Sequence, residues 1–186
     1  MILGIDKLLE LIKKQKLIEG LDKKEINLEG CGVDLRIGEI YEMEEGGGFL
    51  YRETRKTPNY KLVAKFEKVK SASQQKKIKL EPGNFYIGKT VETINTPKNL
   101  FGIFIPRGTF FANGVLVLGF RVDPGYKGNF RFHLINLSNN NFEIEMGARI
   151  ANMIFLRIEG KTNLYKGQWQ GGRAFIKKEE KQIKQK

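Results

Sequence analysis

The chain has one cysteine, Cys31, and one histidine, His133. Two cysteines are needed for an internal disulfide, and more ligands still for a thiolate or multi-histidine metal cage, so these are excluded. Long apolar runs are also missing. The longest uncharged stretch, residues 108–120, spans 13 residues between Arg107 and Arg121, whereas a membrane-spanning helix needs about 20. No membrane partner is expected. The opening residues, Met-Ile-Leu-Gly-Ile before Asp6, carry no basic segment and no cleavage signal, which predicts a cytoplasmic protein. No internal repeat is visible. What is present is a chain of 186 residues with 40% apolar and 11% aromatic residues, which suits one domain with a sizeable core.

Acidic residues are outnumbered, with 33 Lys and Arg against 21 Asp and Glu and a net charge of +12. Residues 65–79 hold six lysines against one glutamate, and residues 177–186 hold five against two. Such blocks read first as solvated surface. Beyond Phe66 no aromatic residue interleaves them, which argues against the stacking platform of a single-strand binder. Nucleic acid is therefore not the expected partner, although a basic nucleic-acid-binding module stays as an alternative carried by charge alone.

Asp6, followed by Leu8, Leu9, Leu11, Ile12, Leu17 and Ile18 and then Gly20, predicts a capped amphipathic helix with a glycine stop. Short β-type runs follow between residues 30 and 45, and Gly46-Gly47-Gly48 marks a turn. Leu50-Tyr51 and Leu62-Val63 suggest short strands. After Pro82-Gly83, residues 85–91, 100–105, 115–121, 129–137, 142–145 and 149–158 read as strands separated by Pro, Gly and Asn. Phe130, Phe132 and Leu134 alternate with Arg131, His133 and Ile135, the pattern of a half-buried strand. The pattern as a whole predicts a mostly β protein, a barrel or jelly roll with an N-terminal helix. The polar, glycine-rich segment after Gly160 has too little apolar content to pack alone and should lie on something else. Cys31 reads as a small buried residue, since nothing beside it would activate a thiol.

Five polar clusters punctuate this framework: Gly32-Val33-Asp34-Leu35, Pro106-Arg107-Gly108-Thr109, residues 122–128 around Asp123-Pro124-Gly125-Tyr126, Gly147-Ala148-Arg149-Ile150-Ala151, and residues 165–173 from Tyr165 to Arg173. Taken singly each is first a turn or loop. Together, in this order, they resemble the dUTPase and dCTP deaminase superfamily, from the opening helix to about Phe175. The most specific piece is Arg121-Val122-Asp123-Pro124-Gly125-Tyr126-Lys127-Gly128, which is similar to the third motif of the deaminase branch, where archaeal-type dUTPases also belong.

The resemblance implies a distorted β-barrel or jelly roll of the β-clip type, assembled as a homotrimer with nucleotide sites between subunits. It implies a domain over residues 1–175 and a Lys-rich tail over 176–186. It makes Asp123 the carboxylate that activates water and Tyr126 the ring that packs on deoxyribose. Arg107, Gly108, Thr109, Arg149, Tyr165, Lys166, Gln170 and Arg173 become phosphate or closing contacts. Gly119 and Val122 belong to the hairpin from Gly119 to Asp123 whose backbone reads uracil, and Trp169 or Phe175 would cover the base. Mg²⁺ would ride on the triphosphate, ordered through water near Asp34. The deaminase proton shuttle, a glutamate ten residues after the motif-three aspartate, is His133 here, and two further deaminase positions are Gly108 and Ala112. Without a shuttle, deamination loses its acid–base step, so the implied activity is hydrolysis of dUTP to dUMP and pyrophosphate. His133 itself faces either solvent or the nucleotide. The alternative within the family is a catalytically degenerate nucleotide-binding protein, because Gly108-Thr109, Asn152, Gln168 and Gly172 depart from the usual motifs.

Overall fold

Alternation of apolar and polar residues builds the framework of the molecule from antiparallel strands. The computed structural model describes residues 1–22 and 30–182. In chain order the elements are α1 (Ile5–Gln15), β1 (Ile18–Glu19), β2 (Gly32–Met43), β3 (Phe49–Leu50), β4 (Thr54–Lys56), β5 (Tyr60–Lys65), β6 (Lys77–Leu80), β7 (Phe85–Asn95) and β8 (Leu100–Pro106). They continue as α2 (Gly108–Ala112), β9 (Val115–Gly119), β10 (Arg121–Val122), β11 (Lys127–Asn136), β12 (Phe142–Glu145), β13 (Arg149–Arg157) and β14 (Glu180–Lys181).

The main sheet runs β10-β8-β13-β2-β7-β11-β9, with β1 added to β7 and β5 to β2. Its two ends, β9 and β10, are separated in the chain only by Phe120. A sheet whose first and last strands are joined this closely must curl back on itself, and the result is a nearly closed barrel. Phe130, Phe132 and Leu134 point inward from β11 and are buried, whereas Arg131, His133 and Ile135 lie on the outer face. Inside, Phe104 stacks between Phe130 at 4.9 Å and Phe132 at 5.5 Å.

The helix is shorter than its apolar periodicity predicts. Lys16 adopts a left-handed conformation (φ 53°, ψ 39°) and ends it. Leu17 and Ile18 then leave helical geometry, and Ile18 pairs with Ile94 of β7. Both side chains are buried, and this burial offsets the strain of a non-glycine residue at positive φ. Asp6 falls inside the first turn, and the N-cap is Gly4. Cys31 is exposed, contrary to its reading as a buried residue, because the buried positions of β2 begin one residue later at Gly32 and Val33. Pro106-Arg107-Gly108-Thr109, expected as a loop, opens the short helix α2.

The segment after Gly160 does lie on something else. Ala174 and Ile176 are buried, as is Ile87 of β7, and none of the three belongs to the main core cluster. They form a thin second layer on the outer face of the sheet. Ile176 N–H donates to Thr57 Oγ1 at 2.9 Å, and Glu180 pairs with Arg55 at 3.1 Å and Arg173 at 2.7 Å. The last four residues of the Lys-rich tail, 183–186, lie outside the described residues.

One ion pair is buried at the centre of the sheet. Glu92 is 0% exposed. It accepts from Arg36 Nε at 2.7 Å and from the Arg36 backbone N–H at 2.8 Å, while another Arg36 nitrogen donates to Gly20 O at 2.8 Å. Burial raises the carboxyl above its usual range, and the Arg36 hydrogen bonds work against that rise. Removing only the carboxylate strands a guanidinium. Glu92→Ala should therefore destabilise the fold by about 3–5 kcal/mol, whereas Arg36→Met combined with Glu92→Leu should recover most of that loss. Urea midpoints of the three proteins check this, and equal midpoints for Glu92→Ala and wild type would show the pair to be unimportant.

Candidate active site

The turn between β10 and β11 is held from both sides. Tyr126 N–H donates to Asp123 O at 3.1 Å, Gly125 N–H to Thr96 O at 2.8 Å, and Thr96 N–H to Tyr126 O at 2.9 Å. Pro124 presets φ, and Gly125 supplies the positive φ of 82° that a side chain would resist. Asp123 is thereby set at the rim of a cavity of about 580 Å³ lined by Phe120, Arg121, Val122, Asp123, Tyr126, Phe130, Arg131, Tyr165 and Trp169. Arg121 Nε lies 3.0 Å from Asp123 Oδ1. Tyr126 is buried and donates its hydroxyl to Asn129 O at 2.8 Å. Its ring meets that of Tyr165 edge-on at 5.9 Å.

The tail clasps this turn. Tyr165 N–H donates to Pro124 O at 2.7 Å, and Gly171 N–H to Lys127 O at 2.8 Å. The Gln170 side chain accepts from Lys127 N–H and donates to Gly125 O, each at 2.9 Å. Such an approach needs glycine on both chains: a Cβ on Gly128 would fall 2.3 Å from Gly172 N, and one on Gly172 would fall 2.8 Å from Asn129 N. Docking carries Trp169 into the cavity wall, where Arg131 lies over its ring with the guanidinium carbon 4.4 Å from the centroid. Phe175 packs instead on Tyr60 and Tyr41. Lys166 is exposed outside the cavity, and Arg173 is committed to Glu180 and Phe175 O.

A second polar cluster lies at the far end of β8. Asp34 Oδ2 accepts from Arg107 and Arg149, each at 3.3 Å, and Oδ1 accepts from Asn152 at 3.2 Å. Gly32 makes room for this, since a Cβ there would fall 1.7 Å from Asn152 Oδ1. Arg107, Gly108 and Thr109 are exposed. None of Asp34, Arg107 and Arg149 lines the Asp123 cavity. Val122 opposes Gly102, and Arg107, the residue after β8, follows five positions later, a backbone separation of about 17 Å at about 3.3 Å per residue. Among the described residues no group of three His, Cys, Asp or Glu side chains could hold a metal ion. With two cations and an amide on its oxygens, Asp34 does not fit as a direct ligand.

The dCTP deaminase-like family model matches residues 2–158. The chain belongs to that family. A deoxyuridine 5′-triphosphate nucleotidohydrolase of Methanocaldococcus jannaschii is 32% identical over 149 residues, 80% of this chain and 90% of the relative. A dCTP deaminase of Pyrococcus furiosus is 30% identical over 163 residues, 86% and 88% respectively. Among solved structures, the 2′-deoxycytidine 5′-triphosphate deaminase of Agrobacterium tumefaciens superposes with a TM-score of 0.62 at 15% identity, covering 85% of this chain and 48% of that one. That likeness shows the fold.

Within this dCTP deaminase-like chain, the cavity unites Val122, Asp123, Tyr126, Tyr165 and Trp169 from the motif reading, and Phe120 and Arg121 of the hairpin it named, with Phe130 and Arg131, which that reading did not assign to the site. Gly119 ends β9 against Phe104. Arg131 had one visible signal, a cation between two buried phenylalanines, Phe130 and Phe132. His133 does not line the cavity. It sits between the rings of Phe85 at 5.3 Å and Phe120 at 5.5 Å. Burial, followed by the nearby Arg131 charge, brings its pKa down to about 4, so it is neutral at physiological pH. No helix among the described residues is long and apolar enough to cross a membrane.

The depressed His133 pKa has a defined consequence for stability. Between pH 4 and 6.5 the unfolded chain takes up a proton that the folded chain refuses, so acid favours unfolding. The stabilisation is complete above about pH 6.5 and lost as pH falls towards 4. Wild type should therefore lose up to about 3 kcal/mol more than His133→Gln on going from pH 7 to pH 4. Denaturant titrations of both proteins across that range measure the difference, and parallel curves would mean that His133 is solvated.

Proposed function

We propose that the chain is a dUTP diphosphatase, converting dUTP and water to dUMP and pyrophosphate. The observation that carries this reading is the carboxylate of Asp123 at the rim of an aromatic-walled cavity, while the deaminase shuttle position holds a neutral histidine packed between two rings. A deaminase must move protons on and off the base, and His133 is poorly disposed to do so. Hydrolysis needs one base beside water, and Asp123 can serve. The name of the Methanocaldococcus relative supports the same choice.

In the proposed step Asp123 takes a proton from a water whose oxygen bonds to the α-phosphorus as the bond to the β-phosphate oxygen breaks. The ring of Tyr126 packs on the deoxyribose and leaves no space for a 2′-hydroxyl. Arg107 and Arg149 donate to phosphate oxygens as planar forks. Mg²⁺, which would offset charge on the triphosphate, would be held by the phosphate oxygens and water rather than by a cage of side chains, since the described residues offer none. The substrate belongs to the soluble nucleotide pool of the cytoplasm, and no nucleic-acid or membrane partner is required.

The separation of about 17 Å along β8 supports a site shared between chains, with Asp123 from one subunit and Arg107 from its neighbour in a homotrimer. A site shared in this way spares one nucleotide from spanning that separation within a single chain. Such sharing makes the assembly part of the active site rather than an accessory to it.

Asp123→Asn keeps the size of the side chain and removes the base, so turnover should fall by about 10²–10⁴-fold with little loss of nucleotide affinity. Pyrophosphate release from dUTP measures it. Wild type that binds dUTP without turnover would favour the degenerate, non-hydrolysing alternative. Sharing is tested by co-expressing Asp123→Asn with Arg107→Ala. Random assembly of two individually impaired chains should restore about a quarter of the sites, because a quarter combine an intact Asp123 with an intact Arg107. No restoration would place each site within one chain.

A further inference from the structure

Arg131 is the least expected group in the cavity. Its guanidinium lies on the ring of Trp169, and burial lowers its pKa to about 10, so it stays charged at neutral pH. Its Nε is buried without a hydrogen-bond partner, and no carboxylate forms an ion pair with it among the described residues. By register it stands opposite Lys89 of β7, another cation, and Lys89 is itself paired with Glu39 at 3.1 Å. The tyrosines that bear on its charge, Tyr60 and Tyr126, are neutral, their hydroxyl pKa values raised chiefly by burial. A partly buried cation with an unpartnered donor and no counter-charge is costly unless a ligand supplies the acceptor.

The remaining walls narrow the choice of acceptor. Phe120, Phe130, Tyr126, Tyr165 and Trp169 offer flat apolar faces, which suit a planar ring better than a hydrated polyphosphate. The other arginines assigned to phosphate, Arg107 and Arg149, lie in the separate Asp34 cluster. Arg131 is also close to the hairpin at the base end of the cavity: Phe132 opposes Gly119, so continuing that register one step sets Arg131 opposite Phe120. A guanidinium has only donors. It can bind the 4-oxo group of uracil and must meet the 4-amino group of cytosine donor to donor.

We propose that Arg131 is a specificity-determining residue, its guanidinium braced on Trp169 and donating to the 4-oxo oxygen of the pyrimidine in the Asp123 cavity. This rests on the nucleotide reading above and adds a side chain to base recognition otherwise left to backbone. Selection follows from electrostatics: the correct base satisfies a buried donor, and the wrong one leaves it unsatisfied. The tail is then part of the reader, because Trp169 backs the guanidinium only while the tail is docked.

The test compares the full-length wild type with Arg131→Met and Arg131→Gln, using dUTP and dCTP binding and inhibition by inorganic tripolyphosphate. Arg131→Met should weaken dUTP by roughly 10–100-fold, the loss expected for one charged hydrogen bond, strengthen dCTP by removing the donor-to-donor clash, and leave tripolyphosphate unchanged. Arg131→Gln, which carries both a donor and an acceptor, should retain part of the dUTP affinity and gain dCTP. Thermal unfolding of each variant checks that it folds, and Arg131→Gln decides the matter if the methionine variant does not. Equal losses for dUTP, dCTP and tripolyphosphate would overturn the proposal and make Arg131 a phosphate or packing residue. Wild type that prefers dUTP, with variants that keep the same preference, would overturn the role of Arg131 alone. Wild type that binds neither nucleotide would overturn the nucleotide reading and this proposal with it.

Discussion

The buried pair of Arg36 and Glu92 is the point from which the rest of the molecule is registered. A carboxylate without solvent cannot slide, because every donor that offsets its desolvation is fixed in the backbone or on one side chain. Next to it Thr90 donates its hydroxyl to Glu92 O at 2.7 Å and accepts Phe130 N–H at 2.8 Å. The Asn129 amide bonds the carbonyls of Thr90 and Val91 at 3.1 Å and of Glu92 at 3.3 Å. These contacts tie β7 to the start of β11, where the ladder shifts register between Asn129 and Arg131. Tyr126 then bonds back to Asn129 O. The turn that carries Asp123 is thus referenced, bond by bond, to a pair inside the sheet.

Two electrostatic characters result at opposite ends of β8. Around Asp34, three donors converge on one carboxylate and the side chains remain open to solvent. Around Asp123, the walls are aromatic and a single cation is largely buried without a counter-charge. The first environment suits mobile, strongly hydrated phosphate. The second suits a flat ring whose polar edge must match fixed donors. In the function proposed above, a site shared between neighbouring chains would bring ring and phosphate recognition to one nucleotide.

The strands were readable in the sequence because burial on one face imposes a period of two, as residues 130 to 135 illustrate. Misreadings fell where local pattern and tertiary demand diverge. Leu17 and Ile18 continue the apolar stripe of the helix, yet their burial is satisfied equally well from a strand, and pairing with β7 took precedence. In Pro106-Arg107-Gly108-Thr109 nothing local announces α2, whose Phe110 packs on Phe142 at 5.4 Å. The turn carrying Asp123 and Tyr126 was legible because a tight turn favours Pro-Gly between them, and their roles were implied by the family resemblance. Arg131 was not assigned to a site, since its role depends on what the tail lays across it.

By itself the sequence determined the β-rich class, the family, the turn that presents Asp123 and the loss of the deaminase glutamate at position 133. The class and the turn are local facts, set by periodicity and backbone preference, whereas the family and the missing glutamate follow from the resemblance of whole motifs. The three-dimensional fold decided which side chains share a cavity, that His133 is enclosed by Phe85 and Phe120, and that Trp169 reaches Arg131 from 38 residues away. Desolvation is a property of the whole surroundings, so neither the low pKa of His133 nor the unpaired charge of Arg131 could be read from neighbours along the chain.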